Sequence, residues 1–391
     1  MNSDDLPLRD LRLIVTGGGT GGHTYPALTT VRALRDRLET AGHTLDVLWV
    51  GTEDSLESRV AADNGIDFAP VATGKIRRSK NPLKLASPEN IRDMANVPIG
   101  VAQARSLVSD FRPDAVLATG GYVAVPVGLA AKLCGRPLVV HEQTVRLGLA
   151  NKVLARVAAR VAVSSPSTLE LLPDSARESA AVTGNPVRPE VLTGQAGLGA
   201  KGLGFEGHDP ALPTVYVTGG AQGSAQINNT VRAVLPWLLP RANVVHQCGA
   251  ANVEGLRAHT ADLPADLAAR YHLTAFVGPE LPDVLALADV VISRSGAGTI
   301  AELTALGKAA VFVPLASSAG DEQRHNARHL RDSGAAMALL DEVTPEHLRA
   351  AVDSLLSDPA GRERMAEQAR EHGRPDAAER LVDVVLSAAR S

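Results

Sequence analysis

The feature that most constrains the fold is an apolar strand-like run followed by a glycine-rich turn and a helix-like run, which occurs twice. The first copy is LRLIVTGGGTGGHTYPAL, residues 11–28, and the second is TVYVTGGAQGSAQINNTV, residues 214–231. The two copies lie about half a chain apart. A length of 391 residues also exceeds the usual size of one domain. The repeat therefore predicts two domains of similar build.

Further short apolar runs alternate with helical patterns in both halves. Together with the two copies above, they span residues 11–15, 45–51, 115–121, 137–142, 160–165, 214–218, 243–249, 272–278, 289–296 and 309–314. Such Val-, Leu- and Ile-rich runs are typical of parallel strands buried on both faces. The pattern predicts two α/β sheets covered by crossover helices. Residues 184–213, rich in Gly and Pro, are expected to form a linker, and residues 359–391 are expected to be helical.

Composition disfavours several classes of protein. The formal net charge of −4 provides no basic field for nucleic acid. Two cysteines, Cys134 and Cys248, give neither a disulfide framework nor a CxxC metal pattern, so a reducing cytoplasm is expected. The N-terminal segment is acidic and lacks the apolar region of a secretory signal. The mostly apolar stretch 124–140 is interrupted by a proline and two cations, and is not expected to span a membrane.

Four glycine-rich turns follow predicted strands, at residues 17–22, 120–122, 219–223 and 295–298. Glycine permits positive φ and lets a phosphate approach the backbone, while the following helix directs unpaired N–H groups at the anion. A tight turn without a ligand would explain one such loop equally well, but four loops favour anion binding. Because ligands bind beyond the carboxyl ends of parallel strands, two such domains are expected to face each other across a cleft.

The first turn matches the dinucleotide fingerprint G-x-G-x-x-G at Gly17, Gly19 and Gly22, but His23 stands where that motif favours a small apolar residue. A dehydrogenase also does not require the second copy of the loop. No P-loop pattern GxxxxGK[ST] occurs, and no Asp-x-Asp pair is present to hold a metal on a diphosphate. A dehydrogenase and a P-loop kinase are therefore disfavoured, and helix N-termini are expected to hold the diphosphate.

Seven motifs, taken in order, resemble those of the MurG family of bacterial peptidoglycan N-acetylglucosaminyltransferases. They are GGTGGH (18–23), GGY (120–122), HEQ (141–143), GNPVR (184–188), GGAQG (219–223), RSGAGT (294–299) with Glu302, and DEQRHNA (321–327). The resemblance implies the GT-B architecture, with two doubly wound Rossmann-like domains whose parallel sheets face across a cleft. It implies an acceptor-side domain of residues 1–186 plus a C-terminal helix at about 372–391, and a UDP-GlcNAc-binding domain of residues 187–371.

The activity that the resemblance implies is transfer of GlcNAc from UDP-GlcNAc to the 4-hydroxyl of MurNAc in lipid I, with inversion, to give lipid II. Its implied partners are these two substrates, the anionic inner face of the cytoplasmic membrane and cell-wall synthesis proteins, with no nucleic acid. The implied location is cytoplasmic and peripheral on that membrane. No metal and no cofactor are expected.

His23 resembles the family's candidate general base. An unperturbed imidazole titrates at roughly pH 6.5, which suits proton removal near neutral pH. A helix N-terminus would favour the neutral form that a base requires. The alternative is a histidine that only caps the helix backbone.

The resemblance also assigns binding residues. Those for UDP-GlcNAc are Thr20, Gly21, Gly22, Thr144, Arg188, Gly220, Ala221, Gly223, Val277, Ala297, Gly298, Thr299, Glu302 and Gln323. Those for the acceptor diphosphate are Gly18, Gly19, Gly120, Gly121 and Tyr122.

Four parts of the donor site carry distinct expectations. The 219–223 loop should cradle the α-phosphate through backbone amides, and Glu302 should accept the ribose hydroxyls. The backbone of Val277 should read uracil, and Gln323 should bond GlcNAc hydroxyls. The alternative for Glu302 is a capping box with Thr299, and Arg188 and Gln323 have the alternative of surface positions.

The sequence departs from the family pattern at three of these motifs. Thr144 stands where the family has Asn, which removes one donor or acceptor. Ala221 replaces a serine, for which Ser224 is expected to compensate, and Glu322 replaces a glutamine in one related pattern. These changes bear on donor affinity more than on reaction type.

A basic segment with leucines is the expected membrane contact. It contains Lys75, Arg77, Arg78, Lys80, Leu83, Lys84 and Leu85. Each cation near an anionic lipid surface contributes roughly 1 kcal/mol. The alternative is a solvated loop.

Two other functions remain open from the sequence. One is a different GT-B enzyme, such as a UDP-GlcNAc 2-epimerase or a transferase with another acceptor. The other is a non-catalytic nucleotide-sugar-binding subunit that requires a membrane partner.

Overall fold

Two parallel sheets organise the chain, of which a computed structural model describes residues 8–74 and 88–390, without the side chains of residues 88–95. In these described ranges, seven strands form the first sheet, β1 to β7, at Leu11–Gly17, Leu45–Gly51, Asp67–Pro70, Ala115–Gly120, Leu138–Glu142, Arg160–Val163 and Ala180–Val182. Six strands form the second sheet, β8 to β13, at Thr214–Thr218, Asn243–Gln247, Tyr271–Thr274, Val290–Ser293, Ala309–Phe312 and Met337–Ala338.

The helices lie between and after these strands. In the first half they are α1 to α7, at Gly21–Thr40, Leu56–Asp63, Pro88–Phe111, Ala124–Leu133, Leu149–Leu154, Pro166–Leu169 and Asp174–Arg177. Thereafter they are α8 to α17, at Ala196–Gly202, Ala225–Leu238, Val253–Thr260, Ala265–Ala268, Leu281–Leu287, Ala297–Leu306, Glu322–Asp332, Pro345–Ser357, Pro359–His372 and Ala377–Ala389. Short 3-10 helices lie at Pro189–Thr193, Ala250–Asn252 and Ala319–Asp321.

The two sheets have corresponding strand orders. The first runs β3-β2-β1-β4-β5-β6-β7 and the second β10-β9-β8-β11-β12-β13, with every described pair parallel. In each sheet the strand order reverses beside the first strand, between β1 and β4 and between β8 and β11. Such reversals open a crevice beyond the carboxyl ends of the strands. The predicted fold class of two doubly wound α/β domains is confirmed.

The chain divides into two compact units, one of residues 1–186 with 376–391 and one of residues 187–375. The last helix, α17, therefore belongs to the first unit. Its residues Leu381, Val382 and Val385 are fully buried in one cluster with Leu13 and Leu117 of the first sheet. The spacing of these apolar residues gives the helix one apolar face. Burial of this face in the first unit stabilises the position of the C-terminal segment.

Three short strands were not predicted: β3, β7 and β13. Each lies at an end of its sheet, and their residues are partly or fully exposed. DFAP begins with Asp and ends with Pro, and AAV is only three residues long, so neither shows the longer apolar run typical of a strand buried on both faces. Their pairing with a neighbouring strand, rather than their own pattern, makes them strands.

The prediction of a linker over 184–213 is wrong. Helix α8 in this segment packs on α12, and Val187, Val191 and Phe205 are buried in the core of the second unit. Two of the glycines that suggested a linker, Gly194 and Gly199, are required by close packing. A Cβ added to Gly194 would lie 2.0 Å from the Pro282 carbonyl oxygen, and one added to Gly199 would lie 2.7 Å from the Asp283 carbonyl oxygen.

No helix in the described ranges is long and apolar enough to cross a membrane.

A neutral histidine lies inside the second unit. Asn228 Nδ2 donates to the Cys248 carbonyl, so Asn228 Oδ1 accepts from His246 Nε2 at 3.0 Å. His246 Nδ1 then accepts from the Tyr271 hydroxyl at 2.8 Å. Burial lowers the pKa of His246 from 6.5 to about 4.

We expect acid to destabilise the second unit through His246. Because its folded pKa lies below the unfolded value, its contribution is complete above pH 6.5 and is lost as the pH falls toward about 4. The contribution is at most about 3 kcal/mol. Calorimetric unfolding temperatures between pH 7 and 4 should fall less steeply for His246→Gln than for the unmodified protein. The exposed His259→Gln should keep the original pH dependence, and an unchanged slope in His246→Gln would contradict this role.

Candidate active site

In the first unit, the predicted loops meet at the crevice between β1 and β4. Helix α1 begins at Gly21, directly after the turn that ends β1, and Gly120 ends β4. Gly19, Thr20 and Gly22 are exposed at the rim, while Gly21 and His23 are partly buried. The structure therefore places the predicted base and its glycine loop where a doubly wound sheet binds ligands.

The glycines at this crevice are required by packing. A Cβ added to Gly120 would lie 2.9 Å from His23 Nδ1, and one added to Gly121 would lie 2.4 Å from the Gly18 carbonyl oxygen. Both residues also have positive φ, at 112° and 85°. The 17–22 and 120–121 loops can thus touch each other, and the His23 ring can lie over Gly120. Contact with an acceptor diphosphate remains a prediction for these glycines and for the partly exposed Tyr122.

A buried carboxylate lies beneath the first loop. It was not among the site residues predicted from the sequence. Glu57 is fully buried, and its two oxygens accept the backbone N–H groups of Gly19 at 3.1 Å and Thr52 at 3.2 Å. The Gly18 amide donates to the Gly120 carbonyl at 3.3 Å. The amides of Gly18 and Gly19 are therefore engaged within the protein. Nothing in the pattern GTEDSLES distinguishes Glu57 from a surface residue.

His23 is held by groups outside its own helix. Its Nδ1 lies 3.0 Å from the Thr119 carbonyl oxygen and 3.1 Å from Gln143 Oε1. The ring makes these contacts instead of bonding the amides of α1, so the alternative of a capping histidine is wrong. Gln143 comes from the HEQ motif at the end of β5, which was recognised as a motif but given no role beside His23.

Thr144 is buried behind this site. It is 9% exposed, and its hydroxyl donates toward Glu142 Oε1 at 2.9 Å and toward the Arg146 carbonyl. Glu142 also accepts from Gly148 N and Asn151 Nδ2. The single hydroxyl hydrogen of Thr144 is thus used inside the loop, and a bond from Thr144 to the donor sugar remains a prediction.

In the second unit, the 219–223 loop leaves amides at its exposed tip. Gly220 N donates to Thr218 Oγ1 at 3.0 Å and Gly223 N to the Gly220 carbonyl at 2.9 Å. In the described part of the chain, the exposed amides of Ala221 and Gln222 have no acceptor. These two N–H groups are the ones that the loop offers to a phosphate.

Ser224 is the N-cap of α9 and not a replacement for the missing serine side chain at Ala221. Its hydroxyl oxygen accepts from Ile227 N at 3.1 Å and from Arg294 Nη2 at 2.8 Å. The expectation that Ser224 compensates at the phosphate is therefore not supported by its bonds. The capping bond instead fixes the helix N-terminus behind the loop.

Gln247, which was also not predicted as a site residue, forms hydrogen bonds that connect its own strand to two other segments. Its Nε2 donates to Thr218 Oγ1 and to the Gly220 carbonyl, each at 3.1 Å, and its Oε1 accepts from Val277 N at 2.9 Å. Val277 is buried, and its N–H is engaged, so only its carbonyl remains for uracil. The pairing of uracil with this backbone remains a prediction.

Arg294 is a partly buried cation at the crevice between β8 and β11. Its Nη2 bonds Ser224, while its Nη1 is buried without a partner in the described residues. Burial lowers its pKa from the ordinary arginine value. A guanidinium in this state favours an anion nearby. Arg294 lies in the RSGAGT motif but was not among the residues predicted to bind UDP-GlcNAc.

The capping box proposed for Thr299 and Glu302 is wrong. Helix α13 begins at Ala297 after the N-cap Gly296, so Thr299 lies inside its first turn and Glu302 one turn further on. Glu302 Oε1 instead accepts from Arg188 Nε at 2.8 Å. The first-turn amides of Ala297, Gly298 and Thr299 are partly exposed at the carboxyl end of β11.

Gln323 anchors the loop before α14. Its Oε1 accepts from Leu315 N at 3.0 Å, and its carbonyl accepts from Ser295 Oγ at 2.7 Å. Among the described residues, Gln323 Nε2 has no hydrogen-bond acceptor. Its hydrogens are therefore available to a sugar hydroxyl. Over the same residues, no three side chains of His, Cys, Asp or Glu lie close enough to hold a metal ion.

Comparisons with known proteins agree with this geometry. The Glycosyltransferase family 28 N-terminal domain model matches residues 13–163, and the corresponding C-terminal domain model matches residues 214–381. Two curated relatives are named UDP-N-acetylglucosamine–N-acetylmuramyl-(pentapeptide) pyrophosphoryl-undecaprenol N-acetylglucosamine transferase. That of Listeria monocytogenes serotype 4a is 36% identical and covers 96% of this chain and 99% of its own. That of Pediococcus pentosaceus is 35% identical with the same coverage.

A solved structure supports the same assignment. The crystal structure of Acinetobacter baumannii MurG superposes with a TM-score of 0.73 at 30% identity, and the match covers 96% of this chain and 99% of that one. Similarity of this extent includes both sheets and the loops described above. The chain therefore belongs to glycosyltransferase family 28 and, within it, to the MurG family of N-acetylglucosaminyltransferases.

Proposed function

We propose that this enzyme transfers GlcNAc from UDP-GlcNAc to the 4-hydroxyl of the MurNAc residue in lipid I, giving lipid II with inversion at the anomeric carbon. The observation that carries the proposal is the nearly full-length similarity to transferases whose printed names state these substrates. The hydrogen bonds of the two crevices also support it, because the groups that remain available to a ligand differ between them.

The first crevice suits a neutral hydroxyl and a base. The loop amides of Gly18 and Gly19 are engaged, and the acidic side chain of Glu57 lies beneath them. These two amides are therefore not free for a ligand, whereas His23 lies at the edge of the loop with one ring nitrogen committed to Thr119 and Gln143. We assign His23 as the general base that removes the proton of the acceptor hydroxyl.

The second crevice suits the diphosphate of UDP. It combines the amides of Ala221 and Gln222, the N-termini of α9 and α13, and the buried guanidinium of Arg294. In the proposed step, the acceptor oxygen forms a bond to the anomeric carbon while the bond from that carbon to the β-phosphate oxygen breaks. UDP leaves with the electron pair, and these groups stabilise the charge that develops on it.

Glu302 is assigned to the ribose hydroxyls. Its carboxylate is mostly buried, with its side chain 16% exposed, and one oxygen is held by Arg188. An ion pair leaves further lone pairs on the carboxylate, so both contacts are compatible. In this assignment Arg188 orients Glu302, while a direct bond from Arg188 to phosphate remains a prediction.

Attachment to the inner face of the membrane is part of the proposal. The basic segment from Lys75 to Leu85 lies outside the described residues, so the proposal rests on its composition. Cations beside leucines favour anionic headgroups. Cell-wall synthesis proteins as partners are likewise proposed from the family alone.

The competing functions predict different products. A UDP-GlcNAc 2-epimerase would convert the donor without any lipid, and a non-catalytic subunit would give no product with either substrate. Incubation of the purified chain with labelled UDP-GlcNAc, with and without a lipid I analogue and in the presence of EDTA, separates these cases. We expect lipid-linked product only when the analogue is present, and EDTA should not reduce it.

Replacement of the base should abolish most of the turnover. His23→Ala is expected to lower kcat roughly 10²–10⁴-fold in this assay, because proton removal then falls to water, while the Kd of UDP is unchanged. His43→Ala is the matched control, since His43 lies in the first unit and its ring pairs with the exposed Asp10 side chain at 3.8 Å. Turnover of His23→Ala near the level of this control would exclude His23 as the base.

Glu302→Ala should weaken UDP binding roughly ten- to hundredfold, because bonds to a charged acceptor are lost. The variant should also lose any preference for UDP over 2′-deoxy-UDP, and calorimetric titration measures both ligands. Glu254→Ala removes an exposed ion pair with Arg257 and should bind as the unmodified protein does. If Glu302→Ala keeps its affinity, Glu302 serves only the pair with Arg188.

Charge reversal at Lys75, Arg77 and Arg78 to Glu should reduce binding to anionic lipid vesicles by roughly a hundredfold, since each cation contributes roughly 1 kcal/mol. Co-sedimentation at low and high salt measures the effect, with neutral vesicles as the control. Equal sedimentation of the variant and the unmodified protein on anionic vesicles would place the membrane contact elsewhere.

A further inference from the structure

The HEQ motif forms a chain of hydrogen bonds that ends on His23. His141 Nε2 lies 3.0 Å from the Gly184 carbonyl oxygen, in a fully buried position. A carbonyl oxygen can only accept, so the hydrogen of the His141 ring is on Nε2. Burial lowers the pKa of His141 to about 4, which keeps the ring neutral and leaves Nδ1 as an acceptor.

The amide of Gln143 is oriented by His141. Gln143 Nε2 lies 3.1 Å from His141 Nδ1 and 2.9 Å from the His141 carbonyl oxygen. Both of these atoms are acceptors, so the amide nitrogen donates one hydrogen to each. A flipped amide would direct its oxygen at two acceptors and lose both bonds. Gln143 Oε1 must therefore face the other way, toward His23.

The orientation of Gln143 determines which nitrogen of His23 carries hydrogen. His23 Nδ1 faces Gln143 Oε1 at 3.1 Å and the Thr119 carbonyl oxygen at 3.0 Å. Two acceptors at one nitrogen require that this nitrogen donates. The lone pair of the neutral ring is then on Nε2, the form in which an imidazole can take a proton at that atom.

We propose that His141 and Gln143 are positioning residues that hold His23 as its Nδ1–H tautomer and so keep Nε2 unprotonated. This inference rests on the proposed role of His23 as the base. The chain of donors and acceptors begins at the Gly184 carbonyl. His141 donates to that carbonyl and so carries its hydrogen on Nε2, whereas His23 donates to Gln143 and so carries its hydrogen on Nδ1. Neither positioning residue has to touch the substrate.

The tautomers of His23 and His141 can be observed directly by NMR. In protein labelled with ¹⁵N-histidine, long-range proton–nitrogen spectra near pH 7.5 distinguish protonated from unprotonated ring nitrogens. The signals are assigned by their loss in His23→Gln and His141→Gln. We expect Nδ1–H for His23 and Nε2–H for His141. A spectrum in which His23 carries its hydrogen on Nε2, or His141 on Nδ1, overturns the proposal.

The variants test causation. Gln143→Leu removes the oxygen that faces His23, and the ratio of Nδ1–H to Nε2–H in His23 should fall roughly fivefold, with kcat about tenfold lower and the Kd of UDP unchanged. Gln143→Glu keeps an oxygen in that place and should retain the Nδ1–H signal. Thr30→Val removes a buried bond to the Pro26 carbonyl in the same helix as His23 and should change neither signal.

The spectra and the turnover separate two possible failures. If His23 signals in Gln143→Leu match those of Thr30→Val, the positioning role is overturned, whatever the turnover. If Gln143→Glu loses the Nδ1–H signal, it is overturned as well. If the tautomers respond as expected but His23→Ala retains turnover, the base assignment fails while the arrangement of the HEQ motif stands.

Discussion

The close packing of glycine loops at the carboxyl ends of the strands is the constraint on which the site depends. In the first unit, the absence of a side chain at Gly121 allows the backbone of Gly18 to lie against it, and the absence at Gly120 admits the His23 ring. In the second unit, a Cβ at Gly223 would lie 1.8 Å from the Cys248 carbonyl oxygen. These glycines therefore bring strand ends together first, and any ligand uses what the packed loops leave free.

Different side chains fix the corresponding glycine loop in the two units. This difference determines which ligand groups each loop can bind. The first loop is fastened by Glu57, an acidic group that takes up the Gly19 amide. The second is fastened by Gln247, a neutral amide, with the cation Arg294 close behind at Ser224. A duplicated fold thus gives one loop with a buried carboxylate beneath it and one loop with a cation nearby. That asymmetry agrees with a neutral acceptor hydroxyl at the base and a diphosphate leaving group in the other unit.

Sequence patterns predicted the buried strands well, because central parallel strands require continuous apolar runs, as in Leu13, Ile14 and Val15. They failed where tertiary contacts decide the outcome. The glycines of 184–213 suggested a linker, yet Gly194 and Gly199 allow close packing on α12. The unpredicted edge strands β3, β7 and β13 are defined by a neighbouring strand and not by their own residues.

The candidate site was predicted to a similar extent. The motifs located both crevices, since glycine turns after strands have a clear spacing. Glu57, Gln247 and Arg294 have no local signature, because their roles come from partners tens of residues away or more. The capping box at Thr299 failed for the opposite reason. The residue types of a capping box are present, but the helix begins three residues earlier than an N-cap at Thr299 requires, and the carboxylate of Glu302 pairs with Arg188.

The partners of His23 also bear on how the proposed base can be oriented and still remain able to accept a proton. A carboxylate beside Nδ1 would fix the tautomer, but it would also stabilise the imidazolium and favour a ring that already holds its proton. Carbonyl and amide oxygens from Thr119 and Gln143 fix the same tautomer without adding a charge. The buried, neutral His141 extends this logic, since it orients Gln143 and titrates only at about pH 4. An arrangement of neutral acceptors therefore suits a base that must be unprotonated when the acceptor hydroxyl arrives.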